Sequence, residues 1–251
     1  MFPSRLWPGR GKRLVVASGA RSVATSNSVL PALPGWGIVE IMRHFERRGL
    51  CLVIAAPSGA GKSTVTRELL ALEPELVASV SVTTRRPRIG EVEGVDYYYR
   101  TMVEYEWLVD AGSMLEHAQV FGRGYGTLRA PVEDLLAQGR DVVLDIDWQG
   151  WRQLQAALPE DAVGVFILPP SIAALENRLR LRGTDDAQEI GRRMSAARAE
   201  MSHWAEFDHV LVNDDLRRCV GDVRSVLRAA RCTPKRHLAA ARLADGLLGR
   251  S

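Results

Sequence analysis

The sequence lacks the features that mark three classes of protein. No apolar run approaches the roughly 20 residues of a membrane-spanning helix, so we expect no membrane partner. The three cysteines, Cys51, Cys219 and Cys232, lie far apart without metal-ligand spacing, which indicates thiols in a reducing compartment. There is no internal repeat. With 46% hydrophobic and 25% charged residues the 251-residue chain can build a core, and we expect it in the cytoplasm.

The body of the chain also lacks the positive charge of a nucleic-acid-binding protein. The net charge is +3, but residues 1–41 and residues 231–251 each carry +4, so residues 42–230 carry −5. The basic character therefore belongs to the two ends. Because an acidic body does not favour a general nucleic-acid surface, we expect no nucleic-acid partner.

The two basic ends are set apart from a predicted domain over residues 42–230. Residues 1–41 show no sustained helical or strand period and are rich in arginine. Such a composition is typical of an organellar transit peptide. A second explanation is that the protein starts at Met42 and that the residues before it are an extension. A disordered tail is compatible with both. We assign no function to this segment, and an organellar targeting role stays open. Residues 231–251 are predicted to be a basic C-terminal tail.

The most informative stretch is a glycine-containing loop between a predicted strand and a predicted helix, Ala56-Pro57-Ser58-Gly59-Ala60-Gly61-Lys62-Ser63-Thr64. It matches the phosphate-loop pattern G-x-x-x-x-G-K-[ST] at every position but the first. The two glycines let backbone N–H groups turn towards phosphate oxygens, and the helix start adds its positive end. Lys62 would bring its charge to the β- and γ-phosphates, and Ser63 would offer a hydroxyl to Mg²⁺.

Ala56 stands where the pattern has glycine. We expect it to end the strand at negative φ and to leave the loop intact, because positive φ would cost alanine about 1–2 kcal/mol.

Apolar strand patterns alternate with helical patterns, which predicts an α/β fold with a parallel sheet covered by helices on both faces. The strands are predicted at residues 50–55, 77–83, 96–99, 114–120, 125–128, 141–147, 163–168 and 209–212. The helices are predicted at residues 63–73, 103–111, 130–138, 153–158, 171–182, 185–204 and 214–230. The more polar segment from about residue 82 to residue 128 is predicted to be a separate lobe.

Two acids end the predicted strand at residues 141–147. Strand ends line the ligand crevice of a nucleotide-binding sheet, so Asp145 is well placed to hold Mg²⁺. Strand periodicity puts Asp147 on the same face. A second acid in the same role would be redundant, so we expect Asp147 to have a different partner. The alternative is that both acids merely end the strand.

Two groups of arginines are candidates for binding phosphate. Arg85 and Arg88 flank a proline in a loop, where their guanidinium groups could grip a phosphate together with the hydroxyls of Tyr97 and Tyr125. The second group lies on two consecutive helices over residues 171–200 and suggests a lid that closes on phosphates: Arg178, Arg182 and Arg193. The alternative for both groups is a solvated surface.

From about residue 49 to residue 230 the chain resembles the guanylate kinase family, which phosphorylates GMP with ATP. Besides the phosphate loop, three signatures carry the resemblance: Ser81-Val82-Thr83-Thr84-Arg85-Arg86-Pro87-Arg88 with Gly90-Glu91 and Gly94-Val95-Asp96-Tyr97, Leu144-Asp145-Ile146-Asp147-Trp148-Gln149-Gly150, and Val212-Asn213-Asp214-Asp215. The arginine-rich signature is the most specific. The resemblance implies a P-loop NTPase fold with a parallel sheet flanked by helices, an inserted GMP-binding lobe and a helical lid.

The resemblance also implies a role for each matching residue. The guanine base would be recognised by Ser81, Glu116, Thr127 and Asp147. The GMP phosphate would be held by Arg85, Arg88, Tyr97 and Tyr125. ATP and Mg²⁺ would be bound by residues 58–64, Lys62 and Ser63 among them, and by Asp145. The lid would bring Arg178, Arg182 and Arg193 over the transferring group, and Asn213 would lie near the adenine.

The implied carboxylates suit guanine chemically. Guanine presents N1–H and an exocyclic amine, which are both donors, whereas adenine has an acceptor at N1 and no amine at C2. Glu116 and Asp147 would therefore favour GMP. The GMP phosphate is mostly dianionic at neutral pH and needs no general base. This fits the lack of an obvious His or Cys nucleophile among the signatures.

Three other functions are compatible with a phosphate loop. A sugar-phosphate kinase on this scaffold is opposed by the joint presence of Ser81, Glu116 and Asp147. A non-catalytic binding module is opposed by the intact Lys62 and Ser63. The acidic body opposes a nucleic-acid-dependent ATPase. The oligomeric state is not predicted.

Overall fold

The computed structural model describes residues 47–120, 122–181 and 187–249. The predictions on residues 1–41 and on Arg182 lie outside these ranges. The strands are β1 (Cys51–Ala55), β2 (Leu76–Ala78), β3 (Ser81–Thr83), β4 (Tyr97–Tyr99), β5 (Met114–Val120), β6 (Arg123–Leu128), β7 (Asp141–Leu144), β8 (Ala162–Leu168) and β9 (His209–Val212). The helices are α1 (Lys62–Leu72), α2 (Met102–Asp110), α3 (Arg129–Ala137), α4 (Trp148–Ala157), α5 (Ile172–Leu181), α6 (Ala187–Met201), α7 (Leu216–Arg231) and α8 (Leu238–Leu247).

Five strands form the parallel sheet that the sequence predicts, in the order β2-β7-β1-β8-β9. The side chains of β1 alternate between two cores. Leu52 and Ile54 pack with residues of α1 and α7, whereas Cys51 and Val53 pack with residues of α3 and α4. Because helices cover both faces, the central strand is apolar at every position. This explains the uninterrupted hydrophobic run before the phosphate loop.

Four strands form a second sheet in the order β4-β3-β6-β5, within the segment that was predicted to be a lobe. β3 is parallel to β4 and antiparallel to β6, and β6 is antiparallel to β5. A small core of its own contains Val82, Tyr105 and Met114. This sheet carries three of the four residues that the family resemblance assigns to the guanine base.

The predicted strand over residues 77–83 is wrong, because the chain changes sheets within it. β2 pairs with β7 in the parallel sheet, whereas β3 pairs with β4 and β6 in the second sheet. The backbone N–H of Ser79 still donates to Val143 O (3.0 Å) before the chain leaves the parallel sheet. Alternation continues through the change, so the pattern contains no break signal.

The predicted strand over residues 141–147 is three residues too long, and the helix predicted at residues 153–158 begins earlier. β7 ends at Leu144 and α4 begins at Trp148. Between them Asp147 caps the helix, and its Oδ1 accepts hydrogen bonds from the N–H groups of Gln149 (2.9 Å) and Gly150 (3.0 Å). Helix capping therefore sets the direction of Asp147 in place of strand periodicity.

Acids of the body pair with arginines from both ends of the predicted domain. Arg47 contacts both carboxylate oxygens of Asp141 (2.6 and 2.9 Å), which is fully buried. Arg231 contacts Asp141 (2.7 Å) and Glu73 (2.7 Å). Buried carboxylates need such partners, because an isolated charge is costly in the interior. Arg47, near the start of the domain, and Arg231, from the basic C-terminal segment, thus meet at the same buried carboxylate.

In the part of the chain that the structure describes, no helix combines the length and the apolar character that crossing a bilayer requires.

Candidate active site

The phosphate loop connects β1 to α1, and both of its glycines are needed in their positions. Gly61 has φ of 101°, and a Cβ atom there would lie 2.4 Å from Asn213 Nδ2. Gly59 has φ of 96°, and a Cβ atom there would lie 3.0 Å from side-chain carbons of Leu175 and Leu179. Left-handed backbone and lack of space exclude larger residues at both positions. Ala56 follows the last residue of β1 and packs partly buried against the core.

Side chains from β9 and α5 hold the loop from outside. Asn213 is buried directly after β9, and its Nδ2 donates to Ala60 O (2.7 Å). Arg178 donates to the same carbonyl (3.2 Å) and to Asn213 O (2.9 Å). Leu175 and Leu179 on the same helix are fully buried. The structure therefore places Arg178 on the loop itself. The contact of Asn213 with adenine stays a prediction.

Lys62 meets Asp145 where β7 ends. The Lys62 ammonium contacts Asp145 Oδ1, and the two side chains are 23% and 49% exposed. Burial alone would lower the pKa of Lys62, but the charge and hydrogen bond of Asp145 outweigh it and raise the pKa above its usual value. Lys62 is therefore charged at neutral pH. Because the pair is accessible, a phosphate can compete with Asp145 for the ammonium.

The residues predicted to bind Mg²⁺ have the donor chemistry that this ion prefers. Ser63 is exposed in the first turn of α1, where Thr64 follows it, and Asp145 lies against the neighbouring Lys62. Residues 47–120, 122–181 and 187–249 contain no group of three or more His, Cys, Asp or Glu suited to a metal. Mg²⁺ commonly completes its shell with phosphate oxygens and waters. One hydroxyl and one carboxylate beside a phosphate loop are therefore enough protein ligands for Mg²⁺.

The residues predicted to recognise guanine are neighbours across three strands. Thr127 on β6 is paired with Ser81 on β3 and with Glu116 on β5. Its hydroxyl donates to Glu116 Oε1 (2.7 Å), and Glu116 is only 5% exposed. Burial, together with the charge of Asp147, raises the pKa of Glu116 to about 7.

The first turn of α4 brings the second carboxylate to the same place. Gly150 donates its N–H to Asp147 Oδ1 (3.0 Å), and a Cβ atom on Gly150 would lie 2.8 Å from Glu116 Oε2. Both carboxylates therefore lie against one residue, although Glu116 comes from β5 and Asp147 from the start of α4. Two neighbouring acceptor groups have the chemistry to pair with the two donors on the guanine edge.

The predicted phosphate-binding arginines lie in a loop organised by Glu91. Arg85 is buried, and it donates to Glu91 Oε1 (2.8 Å) and to Arg86 O (2.8 Å). Glu91 Oε2 accepts from the Arg88 N–H (2.8 Å) and from the Tyr99 hydroxyl (2.7 Å). The hydrogen bond from Arg85 is the main cause that lowers the pKa of Glu91 to about 2. Glu91 was not assigned a role from the sequence, although Gly90-Glu91 stands in the arginine-rich signature and was the signal that could have found it.

Two tyrosines link this loop to the lysine pair. The Arg85 guanidinium lies 5.2 Å from the centre of the Tyr97 ring. Burial raises the pKa of Tyr97, and among the charges that act on it are those of Arg85 and Asp145. Tyr125 is paired with Thr83 across the second sheet. Tyr97 therefore lies within electrostatic reach of both the arginine loop and the strand end at Asp145.

The role of Glu91 predicts a specific kinetic defect. We expect Glu91→Gln to raise KM for GMP about tenfold and to leave KM for ATP unchanged, because Arg85 loses the charged partner that orients it. Steady-state kinetics with each substrate varied would measure this. Glu93→Gln is the matched control, since Glu93 is exposed and contacts Arg100 (2.8 Å). Tighter GMP binding by Glu91→Gln would mean that Glu91 competes with the phosphate instead.

α6 carries one predicted site residue and one residue that contacts the phosphate loop. Arg193 is buried on this helix, and its contact with the transferring group stays a prediction. Glu200, which was missed in the sequence, accepts a hydrogen bond from the Ser58 N–H (3.1 Å). No local pattern distinguishes Glu200 from an ordinary helix-surface acid.

Comparisons with known proteins identify the family of the chain. The family model described as guanylate kinase matches residues 48–230. A guanylate kinase of Gluconobacter oxydans is 57% identical over 195 residues, which cover 78% of this chain and 94% of that relative. A guanylate kinase of Granulibacter bethesdensis is 56% identical over 76% of this chain and 89% of its own length. The crystal structure of guanylate kinase from Anaplasma phagocytophilum superposes with a TM-score of 0.65 at 36% identity, covering 80% of this chain and 95% of that chain.

Proposed function

The chain belongs to the guanylate kinase family, and from this premise we propose that it transfers the γ-phosphoryl group of ATP to GMP. The products are ADP and GDP, and dGMP is a second acceptor. The observation that carries the proposal is that a phosphate loop with its lysine and a pair of guanine-matching carboxylates occur in one domain, where the charge of Asp147 acts on both Lys62 and Glu116. Neither feature alone distinguishes this reaction from other uses of the scaffold.

Recognition of GMP uses one group of residues for the guanine base and another group for the phosphate. Glu116 and Asp147 accept the N1–H and amine hydrogens of guanine, and Ser81 and Thr127 complete the base site. Arg85 and Arg88 bind the phosphate together with the hydroxyls of Tyr97 and Tyr125. Ionised Glu116 is the form that accepts, so GMP binding favours loss of its proton.

Transfer requires two polyanions to approach each other. The nucleophile is an oxygen of the GMP phosphate, which is mostly dianionic at pH 7, so no side chain has to remove a proton. Lys62 and the arginines of both groups neutralise the repulsion and align the two phosphates. Exclusion of water from the cleft prevents hydrolysis of ATP.

Mg²⁺ is the proposed cofactor. Ser63 and Asp145 would hold it, directly or through water, beside the phosphate loop. When bound, it supplies positive charge to the β- and γ-phosphates.

We also propose a cytoplasmic location. Cys51, Cys219 and Cys232 are all free thiols, and two of them are buried, which suits a reducing compartment. The acidic charge of residues 42–230 supports small-molecule substrates over nucleic acid.

One assay with four acceptors tests the proposed function. Coupled detection of ADP release from ATP, with GMP, dGMP, AMP or ribose 5-phosphate as acceptor, should give turnover with the two guanine nucleotides. We expect kcat/KM for AMP to be lower by about 100-fold or more, because adenine leaves the buried Glu116 and the half-buried Asp147 unpaired. Preference for ribose 5-phosphate would indicate a sugar-phosphate kinase. Binding of ATP without turnover of any acceptor would indicate a binding module.

A further inference from the structure

The last turn of α6 brings a carboxylate to the backbone of the phosphate loop. Glu200 Oε2 accepts from the Ser58 N–H (3.1 Å), and the Ala60 N–H donates to Pro57 O (3.0 Å). Two amides of the loop are therefore occupied by protein acceptors. At the start of α1 the Thr64 and Val65 N–H groups both donate to Gly61 O (3.0 Å), so the N–H groups of Lys62 and Ser63 are the ones suited to phosphate.

The end of α6 that carries Glu200 is anchored to the core. Directly after the helix, the His203 ring stacks on Trp148 with ring centres 3.6 Å apart. His203 Nδ1 also contacts Glu206 (2.7 Å), and Glu206 pairs with Arg152 through two contacts of 2.7 Å. Trp148 belongs to the first turn of α4, next to the capping residue. The position of Glu200 is therefore set by the helix that also carries the base-reading carboxylate.

The same face of α6 carries Glu200 and Arg193. These residues are seven positions apart, which is two helical turns, and Ala197 between them is fully buried. Any contact that fixes α6 against the phosphate loop therefore also fixes where Arg193 lies relative to ATP. Glu200 makes such a contact.

We propose that Glu200 is a positioning residue for phosphoryl transfer: its carboxylate oxygen holds the Ser58 N–H and so fixes the phosphate loop against α6 and Arg193. The inference deepens the proposed function and rests on it. The role needs an acceptor atom at this place and not a negative charge, because a charge beside the phosphates of ATP would repel them.

Two substitutions separate the acceptor from the charge. Glu200→Gln keeps an oxygen in place without the charge, whereas Glu200→Asp keeps the charge but withdraws it by about 1.5 Å. We expect kcat/KM for ATP to fall about tenfold in Glu200→Asp, because the shorter side chain loses the hydrogen bond to the Ser58 N–H. In Glu200→Gln it should fall by no more than about threefold, because the amide oxygen can still accept that bond. KM for GMP should stay unchanged in both. Glu176→Asp on α5 is the matched control, since Glu176 contacts Arg180 on the exposed surface (2.6 Å).

The outcomes are distinguishable from failure of the proposed function. Calorimetric binding of ATP in the absence of GMP should be about tenfold weaker for Glu200→Asp and near wild type for Glu200→Gln. If wild type bound ATP but did not phosphorylate GMP, the proposed function would fail while this binding comparison still tested Glu200. Equal losses in both variants would show that an acceptor oxygen at this place is not sufficient and would overturn the inference. Wild-type constants for Glu200→Asp would overturn it as well.

Discussion

Replacing Lys62 with methionine is expected to lower kcat about 10²–10³-fold, the loss typical of removing one group that stabilises charge in the transition state. The Lys62 ammonium lies at the start of α1 and contacts Asp145 across the end of β7. Methionine keeps the length of the side chain but removes the charge that moves to the β- and γ-phosphates. Turnover at saturating ATP and GMP, followed through ADP release, measures the effect.

The chain offers a matched control for this substitution. Lys235 is the other lysine in the described ranges, and it pairs with Glu160 on the surface (2.7 Å). Exposed pairs of this kind contribute about 0–1 kcal/mol to stability. Lys235→Met should therefore retain wild-type kcat. If Lys62→Met retained the same activity, the charge of Lys62 would play no part in the transfer.

The second large effect is expected in base selection. Glu116→Ala should lower the ratio of kcat/KM for GMP to that for AMP about 10–100-fold, because each mismatched buried group contributes about 1–3 kcal/mol. The loss comes from both sides: GMP loses an acceptor, and AMP no longer leaves a buried carboxylate unpaired. Parallel assays with GMP and AMP measure the ratio. Glu133→Ala on the surface of α3 is the control, since Glu133 pairs with Arg129 (3.2 Å) at the exposed surface.

A pH series tests the same assignment independently. The pKa of Glu116 in the free protein is raised to about 7, so the ionised acceptor is gained as the pH rises through this value. KM for GMP should therefore fall as the pH rises from about 6 to about 8. The GMP phosphate itself titrates near 6 in every variant. The part of the change in KM for GMP that is centred near pH 7 should be lost in Glu116→Ala and kept in Glu133→Ala.

If Glu116→Ala still rejected AMP as strongly as wild type, the base-reading role would be wrong.

Local patterns predicted the elements that local physics determines. The apolar run of β1, the two glycines and the start of α1 are adjacent in the chain, and each acts through neighbouring backbone. The parallel sheet was predicted from continuous apolar runs, because a strand that is covered by helices on both faces is apolar at every position. The prediction failed at residues 77–83 and at Asp147. At residues 77–83 the strand pattern continues although the chain passes from the parallel sheet to the second sheet. At Asp147 the strand pattern continues although the strand has ended and the residue caps α4.

The residues that support the site could not be predicted in the same way. Glu91 belongs to the arginine-rich signature, which does not say which side chain it orients, and Glu200 has no sequence pattern that separates it from surface acids. Their roles depend on Arg85 and on the Ser58 N–H. Ser58 and Glu200 are 142 positions apart in the chain. Contacts across such separations follow from how helices pack on the sheet, and no single-sequence period records that packing.

The sequence by itself determined the phosphate loop, the alternation of strands and helices, and the chemical types of the groups that bind phosphate and guanine. These depend on backbone conformation and side-chain chemistry, which each residue brings with it. Only the tertiary structure decided that Glu116 and Asp147 meet at Gly150, and that Arg178 holds the loop from outside. The reason is physical: burial and proximity to other charges, which set the pKa of Glu116 and the pairing of Lys62, exist only once distant segments have packed together.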